Sequence, residues 1–339
     1  MHSTEHPFAR FVRILGKGKT GSRSLERHEA LEAFGMILRG ETEALQLGAF
    51  LMLLRVKEES PEEIAGFVEA CRECMHAPPD GLRADLDWSS YAGKRHQHPW
   101  FILSLLLLAE AGYRIFVHGS AGHTPNRLYT EHAMRSLGLP VASEWAEVEM
   151  RLGEAGLCYL PLQCFCPVLD EIIQLKPLLG LRSPVNTLTR MINPLGAPAS
   201  IQSVFHPAYS RLHQQADLLL GQQRALVFKG ESGEVELKPH ADTRLHVLEN
   251  GEMRELIAAR ACCCCALTVH SHNSARKQAS CGNNATGTGS IDASRGRSTR
   301  GLCGTTARQE RPCSTTAEPV LAAAPRDISL TCHRLPHAR

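Results

Sequence analysis

No nucleotide P-loop, dinucleotide-binding glycine fingerprint or Ser/His/Asp arrangement can be traced along the 339 residues of this sequence. It therefore has none of the short motifs that assign a mechanism by themselves. No signal peptide is expected, because MHSTEHPFARF lacks a basic start followed by an apolar run. The longest apolar segment, WFILSLLLLAEAG at residues 100–112, is too short to span a bilayer and carries Glu110. With 43% hydrophobic and 21% charged residues, the expectation is a soluble, cytoplasmic, globular protein with no membrane partner. An excess of one charge is also missing, since the formal net charge is only +2. That balance hides an asymmetry. Residues 261–339 hold ten Lys/Arg against four acids, a net of +6, and the first 260 residues hold 27 basic against 31 acidic groups. Binding to nucleic acid would have to rest on a local patch, because the body as a whole is slightly acidic.

Aromatic residues are absent from residues 261–339, whereas the body holds all eighteen. The same stretch contains eight of the thirteen cysteines, four of them adjacent at Cys262–Cys265, and shows neither helical nor strand periodicity. Such a segment buries too little apolar area to offset its chain entropy. Four adjacent cysteines do not fit one tetrahedral metal. This leaves a natural basic tail or a change of reading frame near residue 260. The second is the expectation, and residues 261–339 are taken as an aberrant, disordered tail without function. The five body cysteines (Cys71, Cys74, Cys158, Cys164 and Cys166) lie in apolar periodic segments and read as reduced core residues.

The body begins helical. In SLERHEALEAFGMILR (24–39), Leu25, Leu31, Phe34, Ile37 and Leu38 share one face, and Gly40 stops the run. A second helix is expected over 41–59. A third starts at Ser60, where Pro61 suits the first helical position and Glu63 completes a capping box. From residue 100 onward helices alternate with short apolar strands: a helix over 100–112, strand 113–119, helices over 130–138 and 143–156, then a strand in GLCYLPL. A helical run over 167–180 should be broken by Pro177. Strand 200–207, a helix and strand 224–230 follow, then two hairpin-like pieces, FKGESGEVELKP and RLHVLENGEMREL, the second turning at Asn250-Gly251. The pattern predicts an α/β class protein: a small helical domain over 1–75 and, over 76–166 and 191–260, an α/β domain with a mostly parallel sheet.

In such sheets ligands bind at the carboxyl ends of the strands. The loop after strand 113–117 contains His118, Gly119, Gly122 and Arg127, and YAGKRHQHPW (91–100) places Lys94 and Arg95 before the neighbouring helix. Together they are candidates for a basic pocket rim that binds an anion, the alternative being a solvated loop. Glu231, Glu234 and Glu236 are weak candidates for magnesium, with the solvated edge of a hairpin as the favoured alternative. Arg10, Arg13, Lys17, Lys19, Arg23 and Arg27 form a second possible phosphate patch, or a solvated leader.

QLGAFLMLLRVKEESPEEIAGFVEACRE, VHGSAG, GLRSPVNTL, NPLGAP and VFHPAYSRLHQQADLLLGQQRALVFKGESGE, in this order, resemble the anthranilate phosphoribosyltransferase family, glycosyltransferase family 3. The resemblance covers about residues 10–258 and implies a nucleoside phosphorylase/phosphoribosyltransferase-like fold in which residues 167–190 return to complete the helical domain, and which pairs through its helical domains into a homodimer. Where catalytic members carry Gly-Thr-Gly-Gly-Asp for the phosphoribosyl pyrophosphate substrate, this chain has Tyr91-Ala92-Gly93-Lys94-Arg95. Their Lys-His-Gly-Asn-Arg is matched by Val117-His118-Gly119-Ser120-Ala121. Their magnesium-binding Asp-Glu pair is matched by the Glu234-Val235-Glu236 neighbourhood. An arginine that helps bind anthranilate is matched by Lys176, and Gly-Ile-Arg-Thr by Gly180-Leu181-Arg182-Ser183.

Losing the glycine-rich loop and the acidic pair removes the positioning and charge compensation on which phosphoribosyl transfer depends. YAGKR-x-x-x-PW and GE-x-GE-V-E also resemble the YbiB-like branch of the family, which implies DNA binding with little sequence preference. The expectation is therefore a non-catalytic nucleic-acid-binding homodimer. It would contact phosphates through Lys94, Arg95, His118, Gly119, Arg127, Lys176 and Arg182, with no catalytic residue and no cofactor. Tyr91 and Trp100 are candidate stacking platforms, each with core packing as its alternative. The rival is a phosphoribosyl- or pentosyltransferase that uses magnesium through Glu234 or Glu236.

Overall fold

A computed structural model describes residues 5–260, together with the backbone of two strands at 265–269 and 330–334. Four helices open the chain: α1 (Ala9–Gly16), α2 (Arg27–Leu38), α3 (Ala44–Lys57) and α4 (Pro61–Cys74). They enclose a row of phenylalanines, with ring centroids 5.2 Å apart for Phe8–Phe50, 6.1 Å for Phe50–Phe67 and 5.0 Å for Phe34–Phe67. The capping box read from the sequence is formed: Ser60 Oγ accepts from the Glu63 N–H, and Glu63 Oε2 accepts from the Ser60 N–H at 2.8 Å. Such caps contribute about 1 kcal/mol. Helix α1 replaces the expected leader. Its Arg10 and Arg13 pair with Glu32 and Glu5, and beyond it Arg23 and Arg27 pair with Glu29 and Glu69. Arg10, Arg13, Arg23 and Arg27 of the possible phosphate patch are thus in surface ion pairs, while Lys17 and Lys19 are exposed.

The α/β region follows: β1 (Leu86–Ser90), α5 (Phe101–Glu110), β2 (Ile115–Gly119), α6 (Thr130–Ser136), α7 (Trp145–Ala155) and β3 (Leu157–Pro161). Short helices α8 (Leu162–Phe165), α9 (Pro167–Gln174), α10 (Lys176–Leu179) and α11 (Val185–Leu188) come next. The expected break at Pro177 is real: α9 stops at Gln174, and Pro177 starts the single turn of α10. Leu169, Ile172, Ile173, Val185 and Leu188 join the core that holds Ile64, Phe67 and Val68 of α4. Then come β4 (Ala199–Val204), α12 (Ala208–Leu219), β5 (Arg224–Lys229), β6 (Thr243–Glu249) and β7 (Glu252–Ala258).

The sheet order is β3-β2-β1-β4-β5-β6-β7, parallel from β3 to β5 and antiparallel from β5 to β7. The chain winds outward from β1 to β3 and then crosses back to lay β4 on the other side of β1. This creates a topological switch point between β1 and β4, where the loops leaving the two carboxyl ends diverge and leave a crevice. Strand β1 went unread because LDWSS carries three polar residues. Asp87, Ser89 and Ser90 are all buried in the sheet.

Two expectations about hairpins divide. Asn250 and Gly251 have φ of 49° and 86°, as a two-residue turn requires, and join β6 to β7. FKGESGEVELKP is not a hairpin: β5 pairs with β6, and residues 231–242 form a loop beginning with a 3-10 turn at Glu231–Gly233. Beyond residue 262 lies a separate unit, in which β8 (Cys265–Val269) and β9 (Leu330–Arg334) pair antiparallel. These two stretches depart from the expectation of a structureless tail. The rest of that expectation lies outside the described residues. Among the described residues no helix is long and apolar enough to cross a membrane.

Candidate functional site

The loop after β1 turns at Gly93, whose φ of +66° and contacts of 3.1 Å from a would-be Cβ to Arg127 and Tyr129 leave room for glycine alone. Its backbone pairs with the loop after β2 through Lys94 N–H to Leu128 C=O at 2.9 Å, and the reverse bond at 2.8 Å. The Nη1 of Arg127 donates to the carbonyls of Ala92, Gly93 and Ser232, joining these loops to the 231–237 turn. The sequence expectation that these segments lie together is met. Their side chains do something different from what was expected.

Glu234 points inward and is 1% exposed. Its Oε1 accepts from the backbone N–H of Ala92 at 2.7 Å and from that of Gly93, and its Oε2 accepts from Ser90 Oγ at 2.8 Å. The loop amides that a pyrophosphate would need are therefore occupied by a carboxylate of the protein itself. Glu236 accepts from Lys94 Nζ at 2.8 Å, and Lys94 is 1% exposed. These carboxylates are not the solvated edge of a hairpin, and Lys94 is not a free phosphate contact. Each buried charge is held by a partner, as burial demands.

His118 is also inside. Its Nδ1 lies 2.7 Å from the Tyr91 hydroxyl and its Nε2 3.3 Å from Asp87 Oδ2, so it faces the sheet and not a groove. Tyr91 is 1% exposed and is core, whereas Trp100 is 57% exposed. Gly119 sits at the end of β2, where a Cβ would come within 2.0 Å of the Ser90 carbonyl, so its role is close strand packing. Arg95 is exposed, as are His96 and His98 beside it.

The remaining expected cations lie closer to one another. Lys176 Nζ donates to Thr124 Oγ1 at 2.9 Å; that hydroxyl lies 3.1 Å from His123 Nδ1, and His123 Nε2 donates to the Tyr91 carbonyl at 2.8 Å. Burial holds Lys176 below its ordinary pKa, with Arg182 and Arg127 adding to the effect. Burial lowers Arg182 likewise, with Arg127 next. His123 is pushed down to about 4, first by burial and then by Arg182, Lys176 and Arg190. Burial is the main cause in each case, and the neighbouring cations Arg127, Lys176 and Arg182 add a smaller effect of the same sign.

Sequence reasoning missed Arg190 and Phe205. Arg190 is 6% exposed and stands in LTRMINP, where one cation in an apolar run was the available signal. Both line a cleft at the β1/β4 switch point, together with Arg55, Tyr91, Arg182 and Tyr209. Arg55 donates to the Tyr209 hydroxyl at 3.0 Å, which donates to Glu59 at 3.2 Å, so that corner is internally satisfied.

Residues 12–75 match the glycosyl transferase family, helical bundle domain, and residues 103–262 match the glycosyl transferase family, a/b domain. The uncharacterized protein YbiB of Escherichia coli K12 is 29% identical over 254 residues, 74% of this chain and 78% of that protein. The anthranilate phosphoribosyltransferase of Methylocella silvestris is 30% identical over 245 residues, 71% of this chain and 68% of that one. The anthranilate phosphoribosyltransferase structure from Thermus thermophilus superposes with a TM-score of 0.63 at 25% identity, covering 75% of this chain and 73% of that one. A Saccharomyces cerevisiae enzyme of the same name, in complex with PRPP and Mg, shares the fold at a TM-score of 0.60 and 18% identity, covering 76% and 73%.

The residues of this chain do not fit such a magnesium ion. The oxygens of Glu234 are taken by Ser90 and two amides, and Glu236 is paired with an ammonium group. A metal would have to displace donors that already satisfy both carboxylates. With its helical and α/β segments both matched, and with anthranilate phosphoribosyltransferases among its relatives, the chain belongs to glycosyl transferase family 3.

Proposed function

We propose that this chain is a non-catalytic, metal-independent nucleic-acid-binding protein on the phosphoribosyltransferase fold, acting as a homodimer. The observation that carries the reading is the Glu234 carboxylate lodged on the Ala92 and Gly93 amides. It supplies internally the negative charge that a donor pyrophosphate would bring, and repels one that approaches. Arg95 is the exposed cation, with the half-buried Arg127, Lys176 and Arg182 beside the same loops, and the exposed Trp100 offers a ring for stacking. Homodimer formation is supported by Leu45 and Val56 of α3, which are 89% and 84% exposed.

A second reading is favoured by the similarity to anthranilate phosphoribosyltransferases: a transferase in which Glu234 leaves the loop when a donor substrate binds. Anisotropy of a labelled single-stranded oligonucleotide in EDTA, beside an Arg95→Glu/Lys176→Glu variant, separates the two. Salt-sensitive binding that is lost in the variant supports the first reading. No binding at low salt, together with magnesium-dependent release of pyrophosphate from phosphoribosyl pyrophosphate, overturns it in favour of the second.

A further inference from the structure

Three guanidinium groups line the cleft at the switch point, and none is in an ion pair among the described residues: Arg55, which is hydrogen-bonded to Tyr209 beside Glu59, and Arg182 and Arg190. Arg190 is 6% exposed and makes one hydrogen bond, Nη1 to Ser203 Oγ at 3.1 Å. Arg182 lies over the Phe205 ring, its guanidinium carbon 5.8 Å from the centroid. Among the described residues neither guanidinium is in an ion pair, in contrast to Arg23, Arg27 and Lys94. Burial holds both below their ordinary pKa; for Arg190 the nearby Glu234 carboxylate opposes that shift and Arg182 adds to it. Arg190 is buried and poor in hydrogen bonds, a state that a bound anion relieves. With the half-buried Arg182 beside it, the pair matches a doubly charged phosphate monoester better than a singly charged carboxylate.

Phe205 supplies the second half of the site. It is the first residue beyond β4, is 48% exposed although it lines the cleft, and has the His206 ring edge-on at 5.0 Å. An apolar ring left open beside two guanidinium groups is a stacking surface for a flat, π-bonded group. Ser183, Asn186 and Thr187 complete the lining with neutral donors and acceptors suited to the polar edge of such a group. We infer that this cleft binds a nucleoside 5′-monophosphate group, with the phosphate on Arg182 and Arg190 and the base against Phe205. The ligand is either a free nucleotide or the phosphorylated end of a strand. The site shares only Arg182 with the cations of the proposed nucleic-acid surface.

The test is calorimetric titration of the full chain, in EDTA, with AMP, adenosine and inorganic phosphate. AMP is expected to bind at least about tenfold more tightly than adenosine, the share carried by the charged hydrogen bonds. Phe205→Ala should weaken AMP by about tenfold, within the range of base stacking on an aromatic ring, and leave inorganic phosphate unchanged. Arg182→Gln should abolish the preference for AMP over adenosine. Because Arg190 is buried, these two more exposed positions carry the test. Oligonucleotides with and without a 5′-phosphate identify the source: a preference for the phosphorylated end assigns a strand terminus, and equal binding alongside AMP binding assigns a free nucleotide. AMP and adenosine binding alike, or AMP binding unaltered in Phe205→Ala, overturns the inference. Oligonucleotide binding without AMP binding overturns it while leaving the nucleic-acid reading standing.

Discussion

Lys94 Nζ and Glu236 Oε1 lie 2.8 Å apart, with the lysine side chain 1% exposed and the glutamate 15%. The lysine that the sequence offers to a ligand is the counter-ion of an acid that the sequence offers to a metal, and the pair neutralises both offers. Glu234 does the same to the neighbouring backbone amides. In this member of the family the loop that would grip a diphosphate is closed on the protein's own carboxylates.

Breaking the pair from one side should be expensive. Lys94→Met or Glu236→Gln alone is expected to lower unfolding stability by roughly 3–5 kcal/mol, because each leaves a buried or half-buried charge without its partner. The double variant Lys94→Met/Glu236→Gln should recover most of that loss. Urea denaturation of the four proteins checks it, and additive losses would show that the two groups are not coupled.

Vacating the amide nest should create an anion site. Glu234→Ala is expected to cost about 3 kcal/mol or more, since it removes several hydrogen bonds to a charged group. It should also gain a thermal shift on addition of inorganic phosphate larger than that of the unsubstituted protein. Equal shifts in the two proteins would mean that the amides of Ala92 and Gly93 are not open to an anion once the carboxylate is gone.

The salt dependence of oligonucleotide binding should report Arg95 and not Lys94. For a single strand, Arg95→Gln is expected to reduce the slope of log K against log salt by about 0.7, the value of one lost phosphate contact. Lys94→Met, measured on folded protein, should leave the slope unchanged. A slope unaltered in Arg95→Gln places the contacts elsewhere.

His123 should make stability fall in acid. Its folded pKa is pushed down to about 4 from an ordinary 6.5, so the folded state prefers the neutral ring that receives a hydrogen bond from Thr124 and donates one to Tyr91. The unfolded chain binds the proton first as pH drops. Stability from this group is therefore complete above about pH 6.5 and is lost as pH falls through about 4. His123→Gln should flatten that part of the curve, read as melting temperature against pH. Parallel curves for the two proteins would contradict the assignment.

Gly119 tests whether its place is structural. Adding a methyl group drives a Cβ to within 2.0 Å of the Ser90 carbonyl, so Gly119→Ala should destabilise by about 1–3 kcal/mol through overpacking. Oligonucleotide affinity measured on the folded fraction should not change. A selective loss of affinity at full stability would return Gly119 to the ligand surface.

Local signals in the sequence were enough for α2 to α4 of the helical half, though not for α1. Ser60-Pro61-x-Glu63, the apolar spacing of 24–39 and the break at Pro177 are each settled within one or two turns of chain, and each reads the same in the structure. The Asn250-Gly251 turn is equally local. Side-chain roles at the site are decided by residues more than a hundred positions apart. Glu234 meets Ser90, Ala92 and Gly93, and Glu236 meets Lys94, only because β4 and β5 are laid beside β1. An alternating GESGEVEL therefore reads as a hairpin edge, whereas the fold turns its acids inward to face a cationic loop. Strand β1 was hidden for the same reason: the buried Asp87 gains a partner from His118 of β2, and Ser90 one from Glu234 of the 231–237 turn, partners that local sequence does not show. Composition and periodicity determined the class of the fold. Which charges remain free for a ligand was decided only by tertiary structure, because a charge is available only when folding has brought it no partner.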